Sequence, residues 1–310
     1  MIPANLVLQI GFFPEIMQVQ IDRRLQTIAM ADPKSAPPPN QCTAILTRAS
    51  YPLSPALLDQ LPNIKMIANC SVGYDNLPLT YLKERGILAS NTPGVLNDAV
   101  CELTIGLLIN LLRQIPEAHQ FTTQGKWSKE TYPFTTSLAG KNVGIVGMGR
   151  IGQELAERLV PFKVNLAYTG PKPKSLPYTY FNNILELANA SDILILSCPG
   201  GPETEKMVNA EVLNALGSKG FLINVARGTV VNESDLIQAL ENKTIAGAAL
   251  DVFANEPNPN PAFFKLESLI MVPHIGSATQ ETRLAMTNLA IDNLEAFFQQ
   301  KPLPTPIKFT

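Results

Sequence analysis

The sequence predicts an α/β protein built on parallel sheets. Three observations carry that reading. Short apolar runs alternate with helical segments along the chain, a glycine-rich turn joins one such run to a helix, and three polar motifs each follow directly on a later run. With 310 residues, 45% of them hydrophobic and 16% charged, the chain has the length for two domains and the apolar content for sizeable cores.

In the first hundred residues, strands are expected at Leu6–Ile10, Ala44–Thr47, 65–69 and 86–89, with a helix starting at Ser54-Pro55 and a surface loop at Pro37-Pro38-Pro39. Asn97 or Asp98 is expected to cap a long apolar helix over 99–123, kinked or broken by Pro116. A second series of strands follows near 142–146, 164–168, 193–197, 221–224, 247–250 and 269–272, and a last helix spans about 280–299. His119 and Trp127 sit in no motif and are read as structural.

The formal net charge of −2 gives no electrostatic reason to expect nucleic acid or an anionic membrane as partner. Cys42, Cys70, Cys101 and Cys198 form no C-x-x-C pair and cluster with no histidine, so buried, reduced thiols and no metal site are expected. The N-terminus lacks the basic start of a secretory signal, and the apolar stretch at 103–112 is too short to span a bilayer. A cytoplasmic protein is the expectation.

Gly147-Met148-Gly149-Arg150-Ile151-Gly152 is a G-x-G-x-x-G run that leaves an apolar strand and enters a helix. That context turns a weak pattern into a dinucleotide fingerprint: a tight turn at Gly147, close approach of a pyrophosphate at Gly149, and helix packing at Gly152. An NAD-binding Rossmann domain usually places an acid at the end of its second strand, to accept the ribose hydroxyls. Here that turn reads Thr169-Gly170-Pro171-Lys172-Pro173-Lys174. A hydroxyl and two cations suit a 2′-phosphate, so NADP(H) is favoured and NAD(H) stays open.

Three motifs close the pattern: Asn224-Val225-Ala226-Arg227-Gly228, Asp251-Val252-Phe253-Ala254-Asn255-Glu256-Pro257, and Pro273-His274-Ile275-Gly276-Ser277. Each lies at the carboxyl end of an expected strand, where ligands of open α/β sheets bind. With Ser71-Val72-Gly73-Tyr74-Asp75-Asn76, Asn91-Thr92-Pro93-Gly94-Val95 and Cys198-Pro199-Gly200-Gly201-Pro202-Glu203-Thr204, they make the chain resemble the D-isomer-specific 2-hydroxyacid dehydrogenases almost end to end. Within that family it is most similar to the glyoxylate/hydroxypyruvate reductase branch.

The resemblance implies two Rossmann-like domains. A cofactor domain, 99–286, would be inserted into a flavodoxin-like substrate domain made of 1–98 and 287–310. It implies a homodimer formed through the helix near 99–113 and the loop after it, with Trp127, Tyr132 or Phe134 able to approach an active site across it. It implies catalysis by Arg227, Glu256 and His274, with a small 2-oxo acid held by Arg227, His274 and the N–H groups of Val72 and Gly73. The cofactor would meet Gly147, Met148, Gly149, Arg150, Ile151, Gly152, Thr169, Gly170, Lys172, Cys198, Pro199, Thr204, Val225, Ala226, Arg227, Asp251, His274 and Gly276. The residue types suit the chemistry: histidine as proton donor near neutrality, a carboxylate to orient it, and a guanidinium to bind and polarise an oxo acid. A phosphoglycerate dehydrogenase-like enzyme and a cofactor-sensing binding protein of the same fold are the alternatives.

Overall fold

The computed structural model describes residues 5–32, 34 and 41–309. The triple-proline loop lies outside the described residues. The chain divides into two compact units, Met1–Leu96 with Ser277–Thr310, and Asn97–Gly276. The return crossing thus lies at Ser277, ahead of the expected 287, because the helix Gln280–Phe298 runs unbroken and belongs wholly to the first unit.

The first unit carries β1 (Leu6–Ile10), α1 (Glu15–Arg24), β2 (Gln26–Met30), β3 (Ala44–Thr47), α2 (Pro55–Asp59), β4 (Met66–Asn69), α3 (Leu79–Glu84) and β5 (Leu88–Ser90). All five strands are parallel, in the order β2-β1-β3-β4-β5. Ser54 caps α2 through its hydroxyl, which accepts from the Leu57 N–H, and Pro55 occupies the first turn, where its missing N–H costs nothing. The expected strand at 86–89 forms two residues later. Helix α1 and strand β2 had no counterpart in the sequence reading. α1 buries only Met17 and Ile21, and it is tied to the C-terminal helix by Arg24, which donates to Glu295 and Asp292.

The second unit carries α4 (Asn97–Arg113), α5 (Ile115–Thr123), β6 (Asn142–Val146), α6 (Arg150–Leu159), β7 (Asn165–Thr169), β8 (Thr179–Phe181), α7 (Ile184–Asn189), β9 (Ile193–Leu196), α8 (Ala210–Leu216), β10 (Phe221–Asn224), α9 (Glu233–Glu241), β11 (Gly247–Leu250) and β12 (Leu269–Met271). Its seven parallel strands run β12-β11-β10-β9-β6-β7-β8. Strands buried on both faces read as unbroken apolar runs, and β9 and β11 are buried at every position. Apolar clusters cover both faces of this sheet.

The single helix expected over 99–123 is two. Gln114 adopts a left-handed conformation (φ 49°), and α4 and α5 meet at a 55° bend. Pro116 lies in the first turn of α5, so the break falls just ahead of it. Neither candidate cap acts as one. Asn97 is the first residue of α4 and donates from Nδ2 to Glu154, while Asp98 lies in the first turn and pairs with Arg158. Trp127 is 72% exposed and His119 is exposed as well, so neither is a core residue. Among the described residues no single helix is long and apolar enough to cross a membrane, and no cluster of candidate metal ligands occurs. All four cysteines are free and buried.

Candidate active site

The turns after β10, β11 and β12 converge on one polar cluster. His274 follows β12 in a left-handed conformation (φ 52°), and its N–H is shared by the carbonyls of Asp251 and Val272, at 2.9 and 3.0 Å. That places the imidazole Nδ1 2.6 Å from Glu256 Oε2. The other oxygen of Glu256 accepts from the Phe253 N–H at 3.0 Å. Burial alone would push the Glu256 carboxyl up. The hydrogen bond and charge of His274, the Phe253 N–H and the charge of Arg227 outweigh it and hold the carboxyl below its ordinary value.

Asp251 anchors the histidine turn. Its two carboxylate oxygens accept from the N–H groups of Ile275 and Gly276, at 2.6 and 2.9 Å, and the residue is almost fully buried. Burial raises its carboxyl pKa, and the repulsion of Glu256 adds to that, against the two N–H bonds and the charge of His274. Asn224, at the end of β10, braces the next turn: its Oδ1 accepts from the Ala226 N–H and its Nδ2 donates to the Arg227 carbonyl. The guanidinium of Arg227 donates from Nη1 to the Ala226 carbonyl at 2.7 Å. Gly228 lets this turn lie against the one carrying Glu256, because a Cβ there would sit 1.8 Å from the backbone of Phe253. Arg227, Glu256, His274 and Asp251 are therefore brought together.

The glycine-rich turn lies where the order of the seven-stranded sheet reverses, between β6 and β9. Gly147 has φ 95°, and a Cβ on it would lie 2.6 Å from the backbone of Cys198 in the turn after β9. No side chain caps α6, and the space where a Gly149 Cβ would stand is empty. The first N–H groups of α6 thus remain available to an anion, and a pyrophosphate fits this cradle. Met148, Gly152, Cys198 and Ala226 are buried, Ile151, Thr204 and Val225 are partly buried, and Arg150 and Pro199 are exposed. The Thr204 hydroxyl is engaged within its own turn by the carbonyls of Pro199 and Gly201. Burial pushes the Cys198 thiol up to about 11.

The turn after β7 differs from expectation in one donor. Thr169 is buried, and its hydroxyl donates to the Phe181 carbonyl of β8 at 2.9 Å, which removes it as a donor to a phosphate. Lys172 and Lys174 are exposed, and a Cβ on Gly170 would meet nothing. Two tyrosines pin the ends of this loop. The Tyr168 hydroxyl accepts from the Lys174 N–H at 2.8 Å and donates to the Lys174 carbonyl at 3.2 Å, and the Tyr180 hydroxyl donates to the Gly170 carbonyl at 3.0 Å. Neither anchor is evident from the sequence, although a tyrosine inside an apolar strand is itself a signal, since a buried phenol needs a partner.

In the first unit, Val72 and Gly73 follow β4. Asn91 Nδ2 donates to the Val72 carbonyl and Asn69 Nδ2 to the Gly73 carbonyl, both at 2.8 Å. Their own N–H groups take no partner among the described residues. Two adjacent N–H donors with tethered carbonyls have the chemistry to accept an anion.

Residues 105–276 match the family model for the D-isomer-specific 2-hydroxyacid dehydrogenase NAD-binding domain. The chain is 44% identical to a hydroxyphenylpyruvate reductase of Plectranthus scutellarioides over 252 residues, 81% of this chain and 80% of that protein. It is 42% identical to a glyoxylate/hydroxypyruvate reductase of Arabidopsis thaliana over 269 residues, 86% of each chain. Among solved structures, an NADPH-dependent glyoxylate/hydroxypyruvate reductase from Sinorhizobium meliloti, in complex with NADP and malonate, superposes with a TM-score of 0.93 at 39% identity, over 99% of this chain and 98% of that one. With an imidazole–carboxylate pair beside an arginine, and a dinucleotide turn at the reversal of the sheet, the chain is an oxidoreductase and belongs to the D-isomer-specific 2-hydroxyacid dehydrogenase family.

Proposed function

We propose that this chain reduces a small 2-oxo acid, of the glyoxylate, hydroxypyruvate or phenylpyruvate type, to the D-2-hydroxy acid with His274 as proton donor. The observation that carries the reading is the 2.6 Å contact between His274 Nδ1 and Glu256. An ionised Glu256 holds the Nδ1–H and favours the imidazolium, which leaves Nε2–H to protonate the substrate oxygen. Arg227 binds the carboxylate and steadies charge developing on that oxygen. The Val72 and Gly73 N–H groups take the carboxylate as well. The remaining lone pairs of Asp251 accept from a carboxamide, and the α6 turn takes the pyrophosphate. A bound nicotinamide supplies the hydride.

NADPH is the favoured cofactor in this reading. Support comes from the missing acid at Gly170, from Lys172 and Lys174, and from the NADP bound by the Sinorhizobium meliloti relative. Gly170→Asp has room for its side chain, and its carboxylate would repel a 2′-phosphate. The wild type should favour NADPH by about tenfold or more in kcat/KM, one charge-assisted contact being worth about that, and the variant should lose the preference. Equal kcat/KM for the two cofactors in the wild type would remove the lysines from this role.

The activity itself is tested by following NADPH absorbance with the purified protein and a panel of glyoxylate, hydroxypyruvate and phenylpyruvate. Loss of absorbance with any of them supports the reading. No turnover across the panel favours a cofactor-sensing binder. A homodimer through α4, α5 and the segment after them belongs to the same reading. Supporting it are the exposed Ile115, Trp127 and Phe134, and a cavity of about 440 Å³ lined by Ile109, Leu112, Phe134 and Phe162. Sedimentation at the monomer mass would overturn it.

A further inference from the structure

In the five-stranded sheet, β1 and β3 are neighbours although β2 separates them in sequence, so the strand order reverses there. Crevices of open α/β sheets form at such points. The turns on either side are built around one aromatic ring. Gly11 (φ 90°) passes under Tyr51, where a Cβ would lie 2.1 Å from the tyrosine ring. The Tyr51 hydroxyl accepts from the Phe12 N–H at 2.8 Å, and Arg48 Nη1 donates to the Phe12 carbonyl at 2.9 Å. Both backbone groups of Phe12 are therefore held by side chains of the turn after β3, while the Phe12 ring is left 68% exposed. The guanidinium of Arg48 stands 5.8 Å from the Phe13 ring centroid. Of its five N–H groups, only the one bonded to Phe12 has a hydrogen-bond partner among the described residues.

We propose that Phe12 and Arg48 form a subsite for the tail of an aromatic 2-oxo acid that carries a hydrogen-bond acceptor at its far end, the class of 4-hydroxyphenylpyruvate. The inference rests on the reading above, in which the Val72 and Gly73 N–H groups take the carboxylate. Those two residues follow β4, Arg48 follows the adjacent β3, and Phe12 follows β1 one strand further on. Two inter-strand spacings amount to roughly 9–10 Å. Glyoxylate and hydroxypyruvate are far too short to span that distance, whereas a 3-aryl-2-oxopropanoate has the reach. Its ring lies against Phe12 and its phenolic oxygen accepts from Arg48. The tail carboxylate of 2-oxoglutarate would pair with Arg48 and leave Phe12 bare, so the aromatic class accounts for both residues.

The test is kcat/KM for 4-hydroxyphenylpyruvate, phenylpyruvate, glyoxylate and 2-oxoglutarate, measured on the wild type, Phe12→Ala and Arg48→Gln, with folding checked by thermal melting. Phe12→Leu supplies the same comparison should the alanine variant melt early. The wild type should prefer 4-hydroxyphenylpyruvate to glyoxylate by at least about tenfold. Phe12→Ala should cut that ratio about tenfold, the worth of one aromatic pair. Arg48→Gln should cut the ratio of 4-hydroxyphenylpyruvate to phenylpyruvate by about as much, since only the hydroxylated ring loses a partner. Faster turnover of 2-oxoglutarate or glyoxylate than of both aromatic acids, or unchanged ratios in folded variants, would overturn the subsite and leave the reductase reading standing. Absence of turnover with all four acids would overturn both.

Discussion

The two sheets end in different ways. At the carboxyl end of the seven-stranded sheet the candidate groups are side chains, and each is braced by another polar group: His274 by Glu256, the histidine turn by Asp251, and the arginine turn by Asn224. At the end of the five-stranded sheet the candidates are backbone N–H groups, braced indirectly by asparagines that hold their carbonyls. Moving a proton and presenting a fixed cation require particular side chains, whereas recognising a carboxylate requires only donors in place. On this comparison, damage to the first end should fall on kcat and damage to the second on KM.

The largest effect should come from His274→Ala. Loss of a general acid typically costs about 10²–10⁴-fold, and it should appear in kcat for oxo-acid reduction with cofactor affinity little changed. Near wild-type turnover would break the comparison at its strongest point. Arg227→Lys keeps the charge and loses the planar fork, so kcat should fall by about 10²-fold with a rise in substrate KM, as when a donor to a developing oxyanion is removed. A change in KM alone would class Arg227 with the second end of the molecule.

Glu256→Gln sharpens the comparison through pH. The Glu256 carboxyl is held below its ordinary value, so it stays ionised through the neutral range and favours the imidazolium. On the proposed mechanism reduction takes that proton, so kcat/KM should fall as pH rises. In the glutamine variant the imidazolium loses its anionic partner, so activity at neutrality should fall and the pH dependence of kcat/KM should change. The depressed carboxyl also contributes stability that is present above its unfolded pKa and lost as pH falls through its folded pKa. The wild-type advantage in melting temperature should therefore vanish in acid. A pH–rate profile identical to wild type would disconnect Glu256 from the histidine.

The smallest effect is expected at the other sheet. Asn91→Ala frees the Val72 carbonyl, and one hydrogen bond of about 1 kcal/mol corresponds to roughly a fivefold rise in substrate KM with kcat nearly constant. A kcat loss like that of His274→Ala would erase the distinction between the two ends.

Much of this arrangement is legible in the sequence, for a physical reason. Parallel strands buried on both faces read as unbroken apolar runs, which is why β6, β9, β10 and β11 stand out. The edge strands β2 and β8 do not. β2 buries only Met30, and β8 is three residues long with no residue fully buried. The family motifs name the residues of the polar cluster but not the bonds that hold them. The Thr169 hydroxyl reads from sequence as a free donor, yet the pairing of β7 with β8 delivers the Phe181 carbonyl to it. The two hydrogen bonds that Asp251 accepts from the Ile275 and Gly276 N–H groups likewise depend on the adjacency of β11 and β12. Side chains whose partners arrive through sheet pairing are the ones that local pattern leaves undetermined.

The loop between Gly170 and Lys174 carries a consequence for rates as well as for affinity. Its ends are held by two tyrosine hydroxyls, and Pro171 and Pro173 restrict what lies between. Little conformational freedom is left for a ligand to remove, so docking there need not wait for the chain to order itself. If, as proposed, the adenosine end docks here, its encounter would resemble collision with a fixed surface, set by diffusion and by the charge of the two lysines, and would slow as added salt screens them. Differences in affinity between ligands would then arise almost entirely from how fast they leave.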